Sequence, residues 1–486
     1  MRHCDGVLAT PRAWTLSIVA IAVLQAILIF THRPWLDEVQ ALQLAVQAPD
    51  IPTLLEWLRY EGHPPLFYLL LRGLSYLVEP FFALPLLAAA LALVTQFCIL
   101  FASPFSRTER LLIATSEFML FEFLTLSRSM TLGVMFIVLA MALWRRRSVW
   151  LAIALLPMCD FLFGVISMIL VALKLRDRSI YWPGIAAWLV CGLLSAYLVR
   201  PADDMIPAIE HKSVIGDLLH VITGLGTLAL PFQGGILPEW NKPPLPLAGI
   251  LWVPFMILAH ITTRSDRLHR IVLFTFIAIS ATFSLLVYPL SIRHLMLIAL
   301  LLIALVWLRR SQGDRPIPSF RIWLAAASAC GIATAAINFA MPFNTAPEAA
   351  AEIKRLGLAD RHWQAWPDFR SQVVSALSGM EFERTELHCM HGPMRWNYRT
   401  ALTTPRRFSN YLESEIERHG RFYLLSDIRI SGLDPQIIRP LSHIPAGYDG
   451  QSYHLYVVGP TAAERPVDLP PCVSGQRPLE RFTARI

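Results

Sequence analysis

The sequence is short of charge. Only 16% of its residues are Asp, Glu, Lys or Arg, where a soluble domain carries roughly 25%. That is too little polar surface to keep 486 residues in water. With 55% hydrophobic residues and a mean hydropathy of +0.50, the bilayer is the expected solvent. Nucleotide and protease signatures are missing too. No GxGxxG opens a helix after a strand, and there is no P-loop and no HExxH, which removes the usual marks of nucleotide-sugar, phosphate-loop and zinc-protease chemistry. Cysteine is sparse, seven in all with no CxxC. Cys98, Cys159, Cys191 and Cys330 lie in or beside apolar runs, where a thiol is a small hydrophobe. Cys389 and Cys472 sit in a polar tail and are able to pair if that tail faces an oxidising compartment. The run His388-Cys389-Met390-His391 is a poor zinc set without distant partners, so no metal ligand is assigned.

What charge there is leans basic, at +7 with a pI near 9.1. In a soluble chain this would suggest nucleic-acid binding. Here the basic residues lie in short loops between apolar runs, the pattern that sets orientation in a membrane, and no nucleic acid is expected. An apolar run from about Trp14 to Thr31 follows Arg2 and Arg12. It has no small-residue cleavage site and reads as an uncleaved first helix with a cytoplasmic N-terminus.

Residues 32–79 then form an external loop. Its pieces ALQLAVQ and IPTLLEWLRY are amphipathic and expected to lie on the membrane surface. PPLFYLLLRGLSYLV, short and carrying Arg72, reads as interfacial or re-entrant. Apolar runs at 80–103, 111–126, 132–144, 149–159, 161–173, 181–199, 245–261, 271–287, 295–308 and 322–340 complete about eleven spans of a helical bundle. The Gly- and Pro-rich stretch 214–237 is set aside as re-entrant or a hairpin. The alternation leaves everything after residue 340 outside. That tail, 341–486, is polar. EAAAEIKRLG and RFSNYLESEIERHG predict helices and RFYLLSD and YHLYVVG predict strands, a small external α/β domain of roughly 145 residues.

Folding the polar residues onto this topology collects them at one membrane face. Asp37 and Glu38 lie just past helix 1, Glu61 and His63 at the end of the external loop, Arg128 and Asp160 at outer turns, and Arg293 and His294 at the outer start of a late span. Ionisable groups beside apolar spans are costly unless paired, which makes them functional candidates.

The segment WLDEVQALQLAVQAPDIPTLLEWLRYEGHPPLFYLLLRGLSYL resembles the first external loop of membrane glycosyltransferases of the GT-C class, which includes protein O-mannosyltransferases and aminoarabinose transferases of lipid A. In that class an acidic pair follows the first helix, here Asp37-Glu38, and an H-P-P-L-x-Y motif closes the loop, here His63-Pro64-Pro65-Leu66-Phe67-Tyr68. SIRHLMLIALLL resembles the class's R-H-L start of a late span. LSRSMTLGV resembles its E-A-R-x-Y turn but lacks the glutamate and the tyrosine. The resemblance covers residues 13–340 and implies a sugar donor carried on polyprenyl phosphate. It implies Asp37 as general base. Glu38 is grouped with it as catalytic, Arg293, His294 and Arg128 are the candidates for the donor phosphate, and Glu61, His63, Tyr68 and Asp160 are those for substrate. A carboxylate suits an acceptor hydroxyl that must lose its proton. Arginine forks suit the phosphate that leaves.

No cofactor is required on this reading, with a divalent ion (Mg or Mn) left open. The acceptor is a lipid, a glycan or a protein. The expected location is a bacterial inner membrane with the tail in the periplasm. A flippase or transporter of lipids or lipid-linked glycans would also have many spans, but it would show internal repeats and polar groups near the midplane, and the sequence shows no clear repeat. A non-catalytic scaffold of a glycan-assembly complex is the third reading.

Overall fold

The computed structural model describes residues 10–205, 214–234, 237–244, 246–385, 387–390, 392–396, 405–460, 464–465 and 468–473. Arg2, Glu210, His211 and His391 lie outside these. Most of the long apolar runs are largely helical, as their lack of charge and internal turn signals requires. In chain order the bundle helices are α1 (Pro11–Thr31), α2 (Leu36–Gln47), α3 (Ile51–Leu58), α4 (Leu66–Ser75), α5 (Pro80–Phe97), α6 (Arg107–Ala114), α7 (Ser129–Ala142) and α8 (Val149–Leu155). They continue as α9 (Phe161–Arg176), α10 (Trp182–Leu198), α11 (Val214–Thr227), α12 (Ala248–Thr263), α13 (Arg267–Leu286), α14 (Ile292–Ser311) and α15 (Pro318–Ala340).

Among the described residues, five helices are long and apolar enough to cross a membrane: Pro11–Thr31, Pro80–Ala102, Arg267–Leu286, Ile292–Ser311 and Pro318–Ala340. The others are shorter. The outer surface carries apolar side chains in rows, such as Leu16, Val19, Val23, Ile27 and Phe30 on α1 and Leu189, Val190, Leu193 and Leu194 on α10, all exposed. Water does not tolerate patches of that extent, and lipid does. α14 is the central helix, buried on every side from Leu295 to Arg309.

Two segments differ from the sequence expectation. The run 111–126 is not one helix. α6 stops at Ala114, a π-turn follows at Phe118–Glu122, and the chain then turns to Arg128. This stretch packs inside the protein and buries Glu117 and Glu122, so it needs no lipid-length helix. The loop helix α2 does not lie open on a membrane surface. Its residues are almost all buried, because the tail covers it. Arg72, the one charge in apolar α4, is explained by the C-terminus of α2: its guanidinium donates to the carbonyls of Ala45 at 2.8 Å and Ala48 at 2.7 Å. Orphan carbonyls at a helix end need such donors. The stretch set aside as re-entrant or a hairpin contains α11, followed by an irregular segment that reaches back to the polar cluster.

The tail adds α16 (Ala346–Arg355), α17 (Gln372–Ser378) and α18 (Pro405–His419) with strands β1 (Trp363–Trp366), β2 (Glu383–Arg384), β3 (Phe422–Ser426), β4 (Ile438–Ile444) and β5 (Tyr453–Val458). The sheet runs β2-β1-β3-β5-β4. β1 is parallel to both β2 and β3, and β5 is antiparallel to β3 and β4. The helices and strands predicted from EAAAEIKRLG, RFSNYLESEIERHG, RFYLLSD and YHLYVVG are α16, α18, β3 and β5. Cys389 and Cys472 are disulfide-bonded. One apolar core joins Leu36 and Val39 of α2 to Ala346, Ala349, Trp363 and Tyr453 of the tail. Gln40 locks the join, donating to Met394 O at 2.8 Å and accepting from Met394 N at 2.9 Å. The external loop and the tail therefore hold each other over one end of the bundle.

Candidate active site

The cluster starts from helix ends. Asp37 lies in the first turn of α2, Arg128 is the residue before α7, Asp160 caps α9 and Arg293 is the second residue of α14. Each position follows a turn at the same end of the bundle, so residues far apart in sequence meet there. Asp37 Oδ2 accepts from Arg128 Nη1 at 2.6 Å and from Arg293 Nη2 at 2.7 Å. The side chains of the two arginines are 10% and 11% exposed and that of Asp37 is 26% exposed, so the contacts are shielded while the carboxylate keeps an open side. The converging helix N-termini add positive potential at the same place.

His63 bridges onward. Its Nε2 lies 3.2 Å from Arg128 Nη2 and its Nδ1 lies 3.6 Å from Asp160 Oδ2. Asp160 also accepts from Leu162 N at 3.0 Å. His294 holds Ser291 Oγ at 2.6 Å through Nδ1 and sits within electrostatic reach of Arg293, His63 and Arg128. The structure thus brings Asp37, His63, Arg128, Asp160, Arg293 and His294 into one neighbourhood.

The other sequence candidates stand one step away. Glu61 Oε1 accepts from Gln40 Nε2 at 2.7 Å and from Trp396 Nε1 at 3.0 Å. Burial pushes its carboxyl up, against the opposing hydrogen bond from Gln40, the charge of His63 and the hydrogen bond from Trp396. Tyr68 is 2% exposed on α4, and the charges of Glu61 and Asp160 act on it. Glu38 is 1% exposed, with both oxygens committed. One accepts from Ser127 N at 2.6 Å, beside Arg128, and the other meets His32 Nε2 at 2.7 Å and Trp35 N at 3.2 Å. It ties the start of α2 to the arginine turn.

Aromatic support for the arginines went unread in the sequence. The Arg293 guanidinium lies 4.9 Å from the Trp35 ring and 5.8 Å from the Trp240 ring, and Arg128 lies 5.9 Å from Trp35. Cation–π contacts of this kind fix a guanidinium without using its N–H groups. Trp240 is held by its own N–H to Glu122 Oε2 at 2.9 Å and by its backbone N–H to Tyr448 O at 2.7 Å. Gln233 bonds Glu117 and Glu122, each at 3.1 Å, and Asn241 Oδ1 accepts from Ile292 N at 3.0 Å. The buried glutamates anchor the irregular segment that lays Trp240 on Arg293. Trp35 stood two residues before Asp37 and was the one legible signal. Trp240 lay in a stretch with no periodicity.

No family model matches the chain, and no curated protein matches it. A solved structure, that of ArnT from Cupriavidus metallidurans bound to undecaprenyl phosphate, aligns with 92% of this chain and 98% of its own at 12% identity and a TM-score of 0.36. At that identity and score the likeness assigns no residue role and no activity.

Proposed function

We propose that this protein is an integral-membrane glycosyltransferase that moves a sugar from a polyprenyl-phosphate donor to a lipid, glycan or protein acceptor at the outer membrane face, with inversion. The observation that carries the reading is the contact of Asp37 with both Arg128 and Arg293, at the motif residues that resemble the GT-C class. Two permanent cations converge on one small carboxylate and are held by indole rings. That is a seat for a larger anion.

The donor phosphate would take the guanidiniums in forked hydrogen bonds. This releases Asp37 Oδ2 from the arginines and turns it toward the acceptor. The acceptor hydroxyl gives its proton to Asp37 as its oxygen attacks the anomeric carbon. The bond from that carbon to the phosphate oxygen breaks, and the electron pair stays on the phosphate, where Arg128, Arg293 and the N-terminus of α14 stabilise it. His63, between Arg128 and Asp160, steadies the Arg128 fork. The arginines supply the fixed positive charge that a divalent cation (Mg or Mn) would otherwise give, so the reading needs no cofactor. The Cys389–Cys472 bond supports an oxidising compartment for the tail, in keeping with a bacterial inner membrane, a cytoplasmic N-terminus and a periplasmic tail.

The test is transfer from a radiolabelled polyprenyl-phosphate sugar by the purified protein in lipid nanodiscs. Wild type should release polyprenyl phosphate and Asp37→Asn should not. Transfer that survives Asp37→Asn removes the mechanism, and lipid translocation without sugar transfer favours a flippase.

A further inference from the structure

A second cluster of ionisable side chains lies in the tail, on different chemistry. His362 precedes β1, Glu383 opens β2, His388 follows β2, and Glu415 and His419 share the last turns of α18. Glu383 is fully buried, Glu415 is 3% exposed and His419 is 1% exposed. Glu383 Oε2 lies 2.7 Å from His362 Nε2 and 3.2 Å from His419 Nε2. His419 Nε2 lies 3.3 Å from Glu415 Oε2. Glu383 Oε1 lies 2.9 Å from His388 Nδ1.

His419 Nε2 is the informative atom. It is buried within reach of two carboxylate oxygens and makes a hydrogen bond to neither. Its N–H direction misses both oxygens, while the spacing matches something else. An ion with bonds of about 2.0–2.1 Å in tetrahedral array sets its ligand atoms roughly 3.3 Å apart. The ligand atoms of His362, Glu383 and His419 fall within 4.8 Å of one another, as do those of Glu383, His388 and Glu415.

The surroundings are built to hold these groups. Gln364 Nε2 donates to Glu383 Oε2 at 3.0 Å and to Glu415 Oε2 at 2.5 Å, and Tyr411 OH donates to Gln364 Oε1 at 2.9 Å. The His362 and His419 rings stack at 4.3 Å, which brings both Nε2 atoms near the same oxygen. Arg418 Nη1 lies 3.9 Å from Glu383 Oε1, beyond hydrogen-bond range. The disulfide at Cys389 fixes the backbone beside His388.

We propose that the tail binds one zinc-class divalent ion between α18 and the β2 edge of the sheet, with His362, His419, Glu383 and Glu415 as ligands and His388 at the rim. Imidazole with carboxylate selects zinc and its transition-metal neighbours over magnesium or calcium. The site ties α18 to the edge strand and is structural. It is separate from the Asp37 cluster and independent of the glycosyltransferase reading.

The test uses the full-length protein in detergent, with any affinity tag removed, stripped by a chelator and then titrated with Zn²⁺. Elemental analysis after desalting should find one zinc per chain, and Co²⁺ in its place should give the absorption bands of a tetrahedral imidazole-containing site. His419→Ala should weaken zinc binding by at least about tenfold, and so should the isosteric Glu415→Gln, which keeps the volume of the side chain. Asp37→Asn should bind zinc as wild type does. Absence of retained zinc, or equal retention by wild type, His419→Ala and Glu415→Gln, overturns the proposal. If both variants misfold, the Co²⁺ spectrum of wild type decides: a spectrum without those bands overturns it.

Discussion

The bundle end and the tail each bury a knot of charge, but with the permanent sign reversed. At the bundle end the permanent charges in the centre are two guanidiniums meeting one carboxylate oxygen. In the tail they are two carboxylates, Glu383 and Glu415, faced by histidines that carry charge only when protonated. Burial pushes the Glu383 carboxyl up, yet hydrogen bonds from His362 and His388 hold it well below the usual carboxylate range. The first knot gathers fixed positive charge, and the second gathers carboxylates. On the two proposals above, sign, more than the number of charged groups, is what separates the sites, because a buried charge keeps its place only when something of opposite sign completes it.

This contrast breaks most readily at Asp37. Asp37→Asn should lower transfer by roughly 10²–10⁴-fold, the usual worth of a general base, with an unchanged thermal midpoint of the tail. Kinetics and calorimetry on the same preparation check both halves, and a shifted midpoint would show that the two knots are mechanically coupled. The disulfide tests the converse. Replacing Cys389 and Cys472, which close a loop spanning 83 residues, by alanine should cost the tail about 2–5 kcal/mol in chemical denaturation, while transfer at low temperature persists. Loss of transfer without loss of stability would place the disulfide in the acceptor site.

Arg293→Ala should weaken donor use by about 1.5–3 kcal/mol, the range for a charged hydrogen bond, read as kcat/KM against donor concentration. Arg293→Lys should recover only part of it, since a lysine offers neither the fork nor the planar stack on Trp35 and Trp240. Equal activity of the two variants would mean that charge alone matters there.

The smallest effect is at Asp449, in the loop that meets Asn344 and lies beside Tyr448. Asp449 accepts from Asn344 Nδ2 at 2.6 Å, and burial pushes its carboxyl up to about 6. A raised folded value means that its contribution to stability is full below the unfolded value of 3.8 and is lost as pH rises through 6. Asp449→Asn should therefore raise the thermal midpoint at pH 7 by a few degrees and leave it unchanged near pH 3. A pH-independent shift would mean that the carboxylate is not the cause.

Much of the plan was legible. Uninterrupted apolar runs cannot end in water, so their helices sit within a few residues of the expected limits in most cases. Loop charge placed Asp37, His63, Arg128, Asp160 and Arg293 at one end, and the motif spacing singled out Asp37 and His63. The run 111–126 misled because its hydrophobicity fits a span, while burial inside protein lets backbone break where lipid would not. The tail's ionisable cluster was hidden for a different reason. Read along the chain, His388 had no partners, since His362, Glu383, Glu415 and His419 come from separate elements.

The sequence by itself determined the solvent, the order of the helices and the face on which ionisable groups gather, because hydrophobicity and loop charge act locally and add along the chain. Only the tertiary structure decided that Asp37 meets two arginines and that Glu383 meets three histidines. Such contacts join helix ends and strands far apart in sequence, and their ångström-scale spacing is set by how the bundle and the sheet pack.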